Sequence, residues 1–176
     1  MPGAYESIAS TTVSTPVAFI EFTSIPSTYR TLEFRLVGRG SFSGIYDDCR
    51  ITINGDTGSN YSWTARYNDN NGNFTYQRSS SDTGISSNYW TTGATALAGA
   101  FGVGIIQIVD YANTNKYKTG RSFSGFSQRS TAFLEQALSI SSFNWRSTSA
   151  ITSVKFDVSA NAVEHTTFSL YGIKDS

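Results

Sequence analysis

The chain has 176 residues, enough for one domain with its own core, and its thirteen Lys and Arg balance thirteen Asp and Glu at a formal net charge of zero. Only 15 % of the residues are charged, and the four Lys and nine Arg lie scattered among acids, which argues against a nucleic-acid binder working from a basic face. A single Cys49 and a single His165 exclude an internal disulfide, the usual cysteine zinc sites and any metal site that needs two histidines.

What remains is a chain of 27 Ser, 21 Thr, 15 Gly and 11 Asn with 14 % aromatics and three prolines. Small polar residues beside aromatic and β-branched ones suit half-wet sheets and loops, and disordered chains are poor in both of the latter. The opening Met-Pro-Gly-Ala-Tyr-Glu-Ser has neither a basic region nor an apolar run, so no export is expected. Taken in order, 1–15 reads as a flexible amino-terminal arm, because Ala4 to Thr15 is Ser/Thr-rich without clear alternation, and 16–176 as one β-sandwich domain.

Period-two alternation then marks the strands. After an opening strand at Val17 to Phe22, the stretch Tyr29 to Val37 places Leu32, Phe34 and Leu36 on a dry face and Glu33 and Arg35 on a wet one. Cys49 to Ile53 turns Cys49, Ile51 and Ile53 inward, so Cys49 is a small core hydrophobe. Asn54-Gly55-Asp56-Thr57-Gly58 is a turn into the strand Tyr61 to Tyr67, and a polar turn follows at Asn68 to Gly72. Ser79 to Gly93 reads as a long surface excursion carrying Tyr89 and Trp90. Gly93 to Val109 is short for a membrane span and broken by four glycines, so it is a loop leading into a buried strand at Phe101 to Val109. Further strands are expected at Tyr117 to Phe126, Ala137 to Trp145, Ile151 to Val158 and Thr167 to Ile173, with a short helix conceivable only over Ser130 to Leu138. About nine strands without a crossover helix predict an all-β, antiparallel, jelly-roll-like sandwich.

Catalytic chemistry finds little support. His165 sits in Ala162-Val163-Glu164-His165-Thr166, a turn before the last strand, and no Gly-x-Ser-x-Gly elbow accompanies it. Asp47-Asp48 is the sole adjacent acid pair and reads as an exposed turn. Asn68 to Gly72 fails as a calcium loop, because the register puts Tyr67 and Arg78 where carboxylates are needed. Gly38-x-Gly40 with Gly44 has no helix after it and is not a dinucleotide fingerprint. No catalytic residue, metal or cofactor is expected.

Aromatic residues carry the remaining signal. Tyr46, Tyr61, Trp63, Tyr67, Phe74, Tyr76, Tyr89 and Trp90 crowd one quarter of the chain. The strand members Tyr61, Trp63 and Tyr67 serve either the core or a surface, whereas Tyr46, Phe74, Tyr76, Tyr89 and Trp90 are candidates for an interface or a ligand site.

Several segments together carry a resemblance: Tyr5-Glu6-Ser7-Ile8-Ala9, Ile20-Glu21-Phe22-Thr23-Ser24-Ile25-Pro26-Ser27-Thr28-Tyr29, Asn54-Gly55-Asp56-Thr57-Gly58-Ser59-Asn60-Tyr61, Asp110-Tyr111-Ala112-Asn113-Thr114-Asn115-Lys116-Tyr117-Lys118, Ala150-Ile151-Thr152 and Phe168-Ser169-Leu170-Tyr171-Gly172-Ile173. In this order, from about Glu6 to Lys174, they resemble a family of small tailed-bacteriophage virion structural proteins. The resemblance implies a jelly-roll-type sandwich without catalytic residues, located in a virion assembled in the host cytoplasm. A homo-oligomer, a trimer, is expected because 14 % aromatics is more than a single small core needs and closed symmetry hides the excess; its partners would be the major capsid protein or other virion proteins, with no nucleic acid and no membrane. Two roles follow as expectations: a capsid decoration or cement protein stabilising the head, or a tail or head fibre or appendage protein binding a host-surface glycan.

Overall fold

The structure is a computed structural model that describes residues 5–68, 73–129 and 134–174; the side chains of 87–90, 128, 129 and 134–136 lie outside that description. Twelve strands are named among these residues: β1 (Tyr5–Thr12), β2 (Val17–Phe22), β3 (Thr31–Gly38), β4 (Tyr46–Ile53), β5 (Tyr61–Asn68), β6 (Phe74–Asp82), β7 (Ile85–Thr92), β8 (Gly102–Val109), β9 (Lys118–Arg129), β10 (Leu134–Trp145), β11 (Val154–Ala162) and β12 (Thr167–Ile173). No helix occurs among the described residues.

Two antiparallel sheets form the sandwich. The wide one has eight strands in the order β1-β12-β3-β8-β9-β10-β5-β6, and the narrow one has four in the order β2-β11-β4-β7. Leaving out the hairpins β5-β6 and β9-β10, the chain changes sheet at every connection except β4 to β7, which are neighbours in the narrow sheet, and this is the path of a jelly roll. The two hairpins are insertions into that path. They pair with each other through β5 and β10, in register from Tyr61 opposite Trp145 to Tyr67 opposite Ser139, and so extend the wide sheet by four strands.

The centre of the core is aromatic. Phe22 and Phe156 from the narrow sheet meet Phe34 and Phe168 from the wide one, with ring centroids 5.2 Å apart for Phe34 and Phe156 and 5.0 Å apart for Phe156 and Phe168. Leu32, Leu36, Cys49, Ile51 and Ile53 are buried around them, as the alternation predicted. Burial pushes the Cys49 thiol far above its ordinary pKa, so it stays a neutral core group. At the edge of this core Gly120 leaves the space that the Phe143 ring fills, since a Cβ there would lie 2.2 Å from that ring.

Several polar side chains organise loops. The Arg39 guanidinium donates to the carbonyls of Ala94, Ala96, Leu97 and Ala100 at 2.7–3.1 Å and folds the Gly/Ala-rich segment before β8 into a compact loop. Lys118 is fully buried, and its ammonium donates to the carbonyls of Asn113, Lys116 and Thr148 at 2.6, 3.0 and 3.1 Å. His165 lies exposed in the turn before β12, with a φ of 70°.

Several expectations are corrected here. The stretch expected as a free arm is instead strand β1, paired with β12 along its length and tied to it by hydroxyl contacts between Ser10 and Ser169 and between Thr12 and Thr167. The surface excursion expected from Ser79 to Gly93 is the end of β6 and all of β7, and twelve strands replace about nine. These strands escape a periodicity reading because β1 and β6 are sheet edges with mostly exposed side chains, while β7 carries Ser86-Ser87-Asn88 and Thr91-Thr92 around its aromatic pair and so lacks alternation. The helix conceivable over 130–138 is not present in its described part, where Leu134 to Leu138 pair with β9; 130–133 lie outside the described residues, as do 69–72 of the expected polar turn. Asp47 and Asp48 are no exposed turn but adjacent residues of β4. Asp47 is buried, accepting hydrogen bonds from Ser159 Oγ and the Phe42 amide.

Because Phe156 touches three other rings in the core, Phe156→Ala is expected to cost about 3–5 kcal/mol. The measurement is a urea unfolding curve, where the midpoint falls while the slope stays unchanged.

Candidate functional site

The outer face of the wide sheet can be read row by row from the strand register. At one end lie Leu138, Gly125, Val103 and Val37, paired in that sequence across β10, β9, β8 and β3, with Phe74 on β6 beyond them opposite Asn68. The next row is Tyr76, Arg66, Ile140, Phe123, Ile105 and Arg35. The third is Arg78, Thr64, Ser142, Arg121, Gln107 and Glu33. Along the strands the face therefore changes from apolar to polar and basic.

On β9 and β10 the usual polarity of a sandwich strand is inverted. Ser122, Ser124, Ser139 and Ser141 point inward and are buried, whereas Phe123, Leu138 and Ile140 point outward and are 53 %, 47 % and 59 % exposed. The inward serines face β7, which packs across β8, β9, β10 and β5. Ser122 and Ser141 hydrogen-bond each other directly across the strand pair. Val37, Val103 and Ile105 continue the exposed apolar surface over β3 and β8, and Phe74, Val103, Phe123 and Leu138 line a hollow of about 490 Å³.

At the β3 side the outer face is closed off by its own polar groups. Glu33 is outward-facing yet only 2 % exposed, because its carboxylate accepts hydrogen bonds from Arg35 Nε at 2.8 Å, Gln107 Nε2 at 2.7 Å and the Tyr5 hydroxyl at 3.4 Å. The Arg35 guanidinium in turn stacks over the rings of Tyr5 and Tyr171. Arg121 Nε donates to Gln107 Oε1 at 3.0 Å, while Arg66 and Arg78 have no hydrogen bond or ion pair among the described residues.

The five candidate aromatics do not converge. Phe74 and Tyr76 stand on the outer face of edge strand β6, two residues apart and strongly exposed. Tyr46 is half-buried on the other side, between the sheets, against Tyr67, Phe126 and Ala137. Tyr89 and Trp90 belong to β7, and their side chains lie outside the described residues. Tyr61, Trp63 and Tyr67 all face inward; the Tyr61 hydroxyl donates to the Asp56 carbonyl at 2.8 Å, and burial raises its pKa to about 12. Sequence reasoning did not reach the outward Ile105, Phe123, Leu138 and Ile140, since alternation reports which residues share a face and not which face is inside.

Among the described residues no three His, Cys, Asp or Glu side chains come together as a metal-donor set. No described helix is long and apolar enough to cross a membrane. Comparison of the chain with protein-family models, with curated proteins and with solved structures finds no match.

Two tryptophans anchor the base of the inserted hairpins to carboxylates. Trp145 Nε1 donates to Asp56 at 2.7 Å and Trp63 Nε1 donates to Asp82 at 2.9 Å. Burial works to raise both carboxyls, but for Asp56 the bonds from Trp145, Asn60 and Gly58 outweigh it, and for Asp82 those from Trp63, Thr83 and Arg50 do, so both sit below the ordinary 3.8. A carboxyl depressed in the folded state contributes stability that is present above its unfolded pKa and lost as pH falls through the folded value. Stability is therefore expected to drop as pH falls below about 4, with tryptophan emission changing in step. Asp56→Asn should flatten that pH dependence in denaturant melts at a series of pH values.

Proposed function

We propose that this protein is a noncatalytic structural component of a tailed-bacteriophage virion. It self-associates through the apolar end of its wide sheet and serves on the head as a capsid decoration protein. The inverted polarity of β9 and β10 carries the assembly part of this reading. A solvated sheet face gains nothing by showing Phe123, Leu138 and Ile140 to water while burying serines. The arrangement gains stability only when another surface covers it, and binding partners that contact the folded state alone stabilise it by mass action. Support for the virion comes from the ordered segments between Glu6 and Lys174 that resemble phage structural proteins.

A cement protein adds contact area across seams between capsid subunits, for which an apolar surface with modest salt dependence is suited. Closed symmetry, a trimer in this reading, covers the same patch on every copy.

Sedimentation of the purified protein at micromolar concentration tests the reading. Wild type is expected to run as an oligomer, and the pair Val103→Asp with Leu138→Asp as a monomer whose own unfolding midpoint is nearly unchanged, because both side chains are exposed. A wild-type monomer in solution and on the particle, or a variant that keeps its mass, would overturn it. Quantitative mass spectrometry of virions then separates head from fibre: copies in proportion to capsid subunits support decoration, and a few copies per particle place the protein on an appendage.

A further inference from the structure

Beyond the apolar end, the polar rows of the same face form a trough. Two adjoining hollows of about 660 and 940 Å³ share Thr64 and Ser142 as common walls and run from β8 across to β6. Their lining is mostly short hydroxyl and amide side chains, among them Ser62, Thr119 and Asn144, with Trp63 and Phe143 also reaching the second hollow and Ile105, Phe123 and Ile140 along the border towards the apolar end.

Three arginines rise from this lining: Arg66 and Arg121 in the first hollow and Arg78 in the second. They sit on β5, β9 and β6, so Arg121 and Arg78 are three strands apart, about 14 Å at the usual spacing, with Arg66 between them. Glu33, the acid at the end of the Arg78–Arg121 row, is already covered by Arg35, Gln107 and Tyr5, and it neutralises none of the three. Arg66 and Arg78 have no partner among the described residues, and Arg121 has only the neutral Gln107 amide.

We infer that this trough binds an acidic polysaccharide whose sugar units carry carboxylates, with Arg66, Arg78 and Arg121 as the carboxylate receptors. The spacing is that of a polymer with repeating charges and not of one small anion, for which the cations would converge. A planar guanidinium matches a carboxylate bidentately. Hydroxyl and amide side chains between the cations complement sugar hydroxyls, and Ile105, Phe123 and Ile140 offer apolar surface to the C–H faces of the rings. A nucleic acid fits less well: Thr64 and Ser142 stand between the arginines, and of the rings that reach the second hollow Phe143 is buried and Trp63 packs partly against the core, so neither offers the open face on which single-strand binders stack bases. Phe123 and Ile140 border both the trough and the apolar end, whereas Arg66, Arg78 and Arg121 lie beyond the row of Leu138 and Val103, so the carboxylate contacts do not depend on the assembly reading.

The test is calorimetric titration of the full chain, in its native oligomeric state, with a defined-length oligogalacturonate. Parallel titrations use the carboxyl-reduced neutral oligomer of the same length and an oligothymidylate of matched charge. Binding of the galacturonate is expected, weakened by added salt, with the neutral oligomer and the oligothymidylate both weaker. The double variant Arg66→Ala with Arg121→Ala, checked for folding by circular dichroism, should lose roughly tenfold or more in affinity. Val17→Ala, on β2 of the narrow sheet and away from the trough, should leave affinity unchanged. No binding of the galacturonate, equal binding of the neutral oligomer, unaltered affinity in the arginine variant, or tighter binding of oligothymidylate would each overturn the inference.

Discussion

The two sheets differ in width, and most of what is unusual in the molecule descends from that difference. Four strands can cover four, and over β1, β12, β3 and β8 the packing is that of an ordinary sandwich, with Phe22 and Phe156 set against Phe34 and Phe168. Past β8 the wide sheet continues for four more strands, which β7 crosses and against which Tyr46 also packs at Tyr67, Phe126 and Ala137. Backbone lying this close leaves no room for large inward side chains, so the positions opposite β7 are filled by Ser122, Ser124, Ser139, Ser141 and Ala137. Where these small residues turn inward, Phe123, Leu138 and Ile140 go to the outer face, while Phe126, Phe143 and Trp145 still turn inward towards the ends of β9 and β10. Inward serine and outward phenylalanine and leucine are thus two results of one geometric constraint.

The hairpins β5-β6 and β9-β10 need an anchor of their own, since a four-stranded wing lacking a full partner layer gains little from burial. Its base supplies one. Tyr61 and Trp145 stack with ring centroids 6.5 Å apart, and the indole of Trp145 and the hydroxyl of Tyr61 both close on Asp56, one on its carboxylate and the other on its carbonyl. Asp56 also receives Gly58 and Asn60, so a single turn before β5 fixes that turn and ties β10 to it. Lys118, buried at the start of β9 among three carbonyls, does the same for the loops on either side of the wing. Such hydrogen bonds to a charged group in a dry setting are among the stronger polar contributions a small sandwich can draw on.

Legibility followed the dryness of each strand's faces. Val17–Phe22 and Thr167–Ile173 were readable to the residue, and Leu32, Phe34 and Leu36 were readable as core, because each strand has one wet and one dry side. The Asn54-Gly55 turn was visible from its residues alone, and Asn54 does adopt a positive φ of 52°. Edge strand β6 gave no periodic signal because its side chains are exposed or only partly buried, and edge strand β1, paired with β12, gives the core only the partly buried Ile8 and Ala9. In β8 both faces are apolar, Ile106 and Ile108 inward and Val103 and Ile105 outward, so no pattern in that strand could say which set was buried. The candidate aromatics were sought in loops, whereas the exposed apolar surface came from aliphatic residues on strands, and the arginines of the trough come together only through the pairing of β10 with β5, two strands separated by 65 residues or more of chain.

Arg66, Arg78 and Arg121, with no charged partner among the described residues, give the outer face of the wide sheet a local positive charge in a chain whose formal net charge is zero. An anionic surface would be met by the wide sheet first, and steering of this kind acts on association rate more than on final affinity. The order of rows along the wide sheet then has a consequence for how copies could gather. Successive outward residues on one strand are about 6.7 Å apart, so the apolar row at Leu138 and Val103 stands about 13 Å from the row holding Arg121 and Arg78. A second copy seated on the apolar end by a two-fold or three-fold axis keeps like-charged arginines at the periphery, where water and salt screen their repulsion. Seated at the basic end, the same axis would press guanidinium against guanidinium. In the proposed oligomer this charge pattern would favour the apolar end for self-contact and leave the trough facing outward, side by side on neighbouring copies, where weak single-site contacts to one polymer would add through multivalency.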